Sequence, residues 1–150
     1  MSLQAHIALT LLRGLTQAQC VELLRRVDKP QCLFDDTVAV LDAIDELAPA
    51  ARLRLQRLFA EHGDEALRRA VDELDFCHRH SIRPLALGTA DYPRRLAECP
   101  DAPAVLYYRG TADLDARHVV AVVGTRRLMA RCTANAFALN WRQHFPTRSS

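Results

Sequence analysis

At 150 residues, 49% of them hydrophobic and 25% charged, the chain can bury a core and is too apolar for a disordered polymer. Its apolar run from Ile7 to Leu12 is far shorter than a bilayer span, and the N-terminus lacks the basic region and small-residue cleavage site of a secretion signal, so the cytoplasm is the expected compartment. The net charge of +2 is unevenly placed: no Asp or Glu follows Asp115, whereas Arg117, Arg126, Arg127, Arg131, Arg142 and Arg148 do. An acid-free, arginine-bearing stretch attracts phosphates, although a solubilising tail would have the same composition.

Up to about residue 80 the apolar spacing predicts short helices. Leu3, Ile7, Leu11 and Leu12 form a stripe that Gly14 interrupts. Thr16 is placed to cap a second helix bearing Val21, Leu24 and Val27, ended by Lys29-Pro30. Asp35 or Asp36 starts a third, with Val38, Leu41, Ile44 and Leu47, and Pro49 closes it. Leu53, Leu58 and Phe59 suggest a short fourth, and Asp64 caps a fifth with Leu67, Ala70, Val71, Leu74 and Cys77 on one face. The predicted organisation is a helical N-terminal module over residues 1–81, SAM-like in type, followed by a second domain over 82–150.

From Ile82 the pattern changes. Arg83 to Gly88 reads as a strand with a turn after it, Asp91-Tyr92-Pro93 as a turn, and Ala104 to Gly110 as a second strand. Val119 to Val123 is continuously apolar, as in a strand buried on both faces of a parallel sheet. The fold class expected is therefore α/β: a small all-helical module followed by the incomplete start of a Rossmann-like parallel sheet. Gly124, Thr125 and Arg126 sit where such a strand turns into a helix, a place where backbone N–H groups and an arginine fork can face an anion. A glycine turn with a surface arginine fits the same three residues. Neither a dinucleotide GxGxxG nor a P-loop sequence is present.

Five cysteines, Cys20, Cys32, Cys77, Cys99 and Cys132, show no disulfide or zinc-knuckle spacing. Cys77, His78 and His80 with Cys99 would make at most a partial metal site, and one buried thiol beside surface imidazoles explains them as well. No metal, cofactor or catalytic residue is expected.

Three elements taken together, Asp91-Tyr92-Pro93-Arg94-Arg95-Leu96, then Asp101 to Gly110, then Val119 to Arg126, resemble the bacterial DNA-processing protein A family (DprA, also called Smf). The family shows a YPxxL turn, a D-x-P-x-x-L-Y-x-x-G strand and a strand ending in V-G-[ST]-R at matching intervals. The likeness is expected to cover residues 1 to about 127. It implies a non-enzymatic protein that binds single-stranded DNA during natural transformation and DNA uptake, loads the recombinase RecA and forms a homodimer, with no membrane partner. Gly124, Thr125 and Arg126 match the element that lies in the family's DNA-binding pocket, and Arg126 is the expected phosphate contact. Tyr92, Pro93, Leu106 and Gly110 match positions expected to serve packing and turn geometry.

Two departures from the pattern bear on function. Gly14-Leu15-Thr16 has only the first glycine of the helix-hairpin-helix turn found in many relatives, so protein contact or scaffolding is expected there instead of phosphate binding. After Arg126 the family's T-x-Y-G sequence is replaced, and a dimer and a complete DNA pocket are doubtful for this chain. The tail from about residue 128 is expected to be a frameshift product: permitted codons for Ala130 to Phe137, read from their third bases, give Thr-Val-Tyr-Gly. Weak or absent ssDNA binding by residues 1–150 is the corresponding expectation. The rival readings are a nucleotide-handling enzyme of phosphoribohydrolase type, which would need a catalytic acid and further glycine-rich loops, and a helical module that acts alone in protein interaction.

Overall fold

The computed structural model describes residues 3–117. The chain divides into two compact units, Met1–Asp115 and Ala116–Ser150. The apolar run Val119 to Val123 and the triplet Gly124, Thr125 and Arg126 lie outside the described residues.

The first helix, α1 (Leu3–Leu11), buries Ala5, His6, Ile7, Ala8 and Leu9 in succession. Burial thus extends around the helix, beyond the single stripe expected, as suits a segment with so few polar side chains. Gly14 ends this region with φ +86°, a left-handed conformation that a Cβ disfavours. Helix α2 (Gln17–Arg26) starts on the predicted cap, Thr16, which forms a reciprocal capping box with Gln19. A short α3 (Cys32–Asp35), not anticipated from the sequence, precedes α4 (Thr37–Asp42). The Asp36 carboxylate caps α4 by accepting from the Ala39 N–H at 3.1 Å.

The largest departure from expectation is α5 (Pro49–Arg79), one helix of 31 residues where two were predicted. Pro49 opens it instead of closing the preceding segment, because proline at the first helical position lacks an N–H that would have no partner there anyway. Asp64 does not cap a new start but lies inside the helix. The reason is phase: Leu55, Phe59, Gly63, Ala66, Ala70 and Cys77 are all buried, and their spacing stays helical straight through Gly63. Phe34 packs opposite, edge-on to Phe59 with ring centroids 5.2 Å apart. The helix ends in a Schellman turn: Ser81 has φ 55°, its N–H bonds the His78 carbonyl, and the Ile82 N–H bonds the Cys77 carbonyl at 2.9 Å.

That turn feeds β1 (Arg83–Ala86), which pairs with β2 (Val105–Tyr108). Both predicted strands form, and the fold is mixed α/β. Their pairing is antiparallel, with Leu85 opposite Leu106, so the parallel arrangement expected of a Rossmann-like sheet does not hold for these two strands. They are linked by a loop containing α6 (Arg94–Ala97). Leu85, Leu87, Tyr92, Ala102, Ala104 and Val105 join the same hydrophobic cluster as Ile7, Leu33, Leu41 and Phe59, so helices and hairpin share one core.

Candidate nucleic-acid-binding segment

Because the predicted contact residues Gly124, Thr125 and Arg126 lie outside the described residues, the observable part of the site is the framework that leads to them. That framework is built by the two upstream motifs. Tyr92 is 3% exposed and its hydroxyl donates to the Pro103 carbonyl at 2.7 Å, while its own N–H bonds the Thr89 carbonyl. One side chain therefore ties the turn after β1 to the segment entering β2. Burial pushes the Tyr92 phenol above its ordinary pKa, which keeps it a donor.

Pro93 stands at the N-cap of α6 but has no side chain able to cap it. The first amide of that helix, Arg94 N–H, is instead bound by Asp115 Oδ1 at 2.9 Å, across 21 positions of sequence. The Asp115 N–H in turn bonds Asp113 Oδ1 at 2.9 Å. Nothing in the sequence spacing signals this long-range cap.

The second motif packs equally closely. Ala102 and Ala104 are fully buried, and the Tyr108 hydroxyl donates to the Ala112 carbonyl at 2.9 Å. Gly110 has φ +151°, and a Cβ there would meet Tyr108 Oη at 3.0 Å. Arg83 stacks its guanidinium over the Tyr108 ring, 5.1 Å from the centroid. Tyr92, Pro93 and Gly110 thus have the packing and turn roles expected of them, and half-buried Leu106 packs against the core.

Charge separates this framework from the segment that follows. Residues up to Asp115 contain 14 Arg or Lys against 18 Asp or Glu, and the remainder has six Arg and no acid. A cleft of about 230 Å3 beside β1 is lined by Asp91, Asp113 and Asp115 with Arg83. Three carboxylates against one guanidinium make it a poor phosphate site. A larger cleft of about 540 Å3 joins Leu74, Cys77 and Ile82 to Pro84, again with Asp75 and Asp91 at its rim. Neither of these two clefts therefore favours an anion.

The cysteines among the described residues are free thiols. Burial pushes the Cys20 thiol up to about 12 and raises Cys77, with the Glu73 charge adding to the latter. Cys77 is buried in α5 whereas His78 and His80 are exposed, and Cys99 Sγ bonds the Arg95 carbonyl, so the residues of the partial metal site do not converge. No group of three or more metal-type ligands occurs among the described residues. No helix among them is long and apolar enough to cross a membrane.

Neither a curated protein nor a solved structure matches the chain. A match to a family begins at β1 and takes in both motifs and the Gly124-Thr125-Arg126 triplet; it leaves out the helices before residue 83 and passes Arg127, unlike the 1–127 coverage expected. Residues 83–141 match the model of the family described as DNA recombination-mediator protein A, the DprA family, and over this stretch the chain carries that family's signature.

Proposed function

We propose that this chain is a non-enzymatic, cytoplasmic DprA-type protein that binds single-stranded DNA without sequence preference through phosphate contacts made after Asp115. The family match across residues 83–141 carries the reading, since it joins the packed motifs to the arginine-bearing, acid-free segment. In this reading Val119 to Val123 is the first strand of a parallel, Rossmann-like sheet, and Gly124 and Thr125 bring backbone and hydroxyl donors to a phosphate. Arg126 supplies a two-pronged guanidinium contact. Loading of RecA and a role in natural transformation extend the same proposal by family likeness.

Phosphate binding of this kind is steeply salt-dependent, because each neutralised phosphate releases condensed counterions. With three to five contacts, affinity falls roughly 20- to 100-fold between 50 and 200 mM salt. Binding is then measurable at low salt and weak at physiological salt. Fluorescence anisotropy with a labelled oligo-dT tests this on the full chain. Arg126→Ala is expected to weaken binding about tenfold at 50 mM salt and to reduce the salt slope by roughly 0.7. Salt-independent affinity, or an Arg126→Ala variant that binds as the parent does, would overturn the assignment.

A further inference from the structure

We propose that the solvent face of α5 is a self-complementary surface, on which two copies of this chain pair weakly through antiparallel α5 helices. The inference is independent of the ssDNA reading, because α5 lies wholly before the residues that match the family. Its basis is four exposed side chains, Arg57, Asp64, Arg68 and Asp75. At 3.6 residues per turn they fall on the side of α5 opposite the buried Leu55, Phe59, Ala66 and Ala70. Their charges alternate along the helix, and none of the four takes part in an ion pair among the described residues. Asp64 and Arg68 stand one turn apart in the order that favours an intrahelical pair, yet they do not pair.

Two copies laid antiparallel match this pattern in a defined register. Arg57 of one copy faces Asp75 of the other, Asp64 faces Arg68, and two-fold symmetry repeats both pairs. A parallel, in-register arrangement sets every charge against itself. Sliding one helix by a turn places Asp64 against Asp64 in one direction and Arg68 against Arg68 in the other. Val71, 44% exposed, and Leu53, 51% exposed, border the same seam and supply apolar area for the contact to cover. Each exposed ion pair shifts an equilibrium by only about 1.4- to 5-fold. The dimer is accordingly weak and salt-sensitive, with a dissociation constant on the order of 0.1–1 mM at low salt.

Sedimentation equilibrium of the full chain, up to about 0.5 mM protein at 25 and 500 mM salt, tests the pairing. A monomer–dimer equilibrium is expected at 25 mM salt and its loss at 500 mM. Arg57→Asp and Asp75→Arg, each alone, bring like charges together and are expected to weaken association at least about tenfold. Both positions are exposed, so far-UV circular dichroism should match the parent in each variant. Combining Arg57→Asp with Asp75→Arg restores opposite charges across the seam and with them the parental association. Combining Arg57→Asp with Asp64→Arg leaves the same net charge but sets like charges together at all four pairs, and this variant should stay monomeric. The control separates this register from a general charge effect. A parent that is monomeric throughout at 25 mM salt, association that survives the single reversals or 500 mM salt, or an Arg57→Asp/Asp75→Arg double variant that stays monomeric would overturn the inference.

Discussion

Removing one oxygen atom, by Tyr92→Phe, separates a packing role for the YPxxL tyrosine from a ligand-contacting one. The ring stays in place at 3% exposure, so apolar burial is nearly unchanged. What is lost is the 2.7 Å bond to the Pro103 carbonyl, which is left without that donor. A net hydrogen bond contributes about 1 kcal/mol, and a stranded acceptor raises the cost, so a destabilisation of about 1–2 kcal/mol follows. For a compact unit of this size that lowers Tm by roughly 3–8 °C. Thermal unfolding followed by far-UV circular dichroism measures the shift, and oligo-dT anisotropy measures binding on the same samples. The expected result is a lower Tm with ssDNA affinity within about twofold of the parent at a temperature where both proteins are folded. A parental Tm together with impaired binding would refute the reasoning, since the hydroxyl would then serve a ligand and not the loop.

Two glycines should respond to alanine in opposite ways. Gly63 lies inside α5 with no positive φ, and a Cβ there would meet Phe34 at an ordinary 3.8 Å, so Gly63→Ala should stabilise by about 0.5–1 kcal/mol in urea unfolding. Gly14 has φ +86° and a Cβ would lie 2.9 Å from Leu58, so Gly14→Ala should destabilise by about 1–2 kcal/mol in the same assay. Alkaline pH supplies another test. The Cys20 thiol ionises near its ordinary 9.0 when unfolded but at about 12 when folded, so its contribution to stability is complete below pH 9 and is lost as pH rises towards 12. Tm should therefore decline across that window, and Cys20→Ala should flatten the decline.

The sequence was most legible where local chemistry decides structure. Thr16 caps the helix it was expected to cap, and Asp36, one of the two aspartates expected to start the next predicted helix, caps α4, because a side-chain oxygen beside orphan amides acts within four residues. Both short strands were evident from their apolar and aromatic residues, yet their antiparallel pairing was not, because pairing depends on the loop between them. Pro49 and Asp64 misled for a related reason: each has a helix-boundary meaning that the continuous buried stripe of α5 outweighs. In the site, the packing roles of Tyr92 and Gly110 were anticipated from motif position. The cap from Asp115 was not, since a bond spanning 21 residues leaves no periodic trace.

The central claim, that nucleic acid is held by the segment after Asp115 and not by the packed unit before it, can be read by photocrosslinking. The full chain would be irradiated with an oligonucleotide carrying 5-iodouracil at 25 mM salt and the modified peptides mapped by mass spectrometry. His118, Met129, Phe137 and Trp141 provide reactive side chains on one side of the divide, and Phe76, Tyr107 and His80 provide exposed ones on the other. The account predicts crosslinks confined to peptides beyond Asp115 and abolished by unlabelled competitor. Saturable crosslinks concentrated on residues before Asp115 would contradict it.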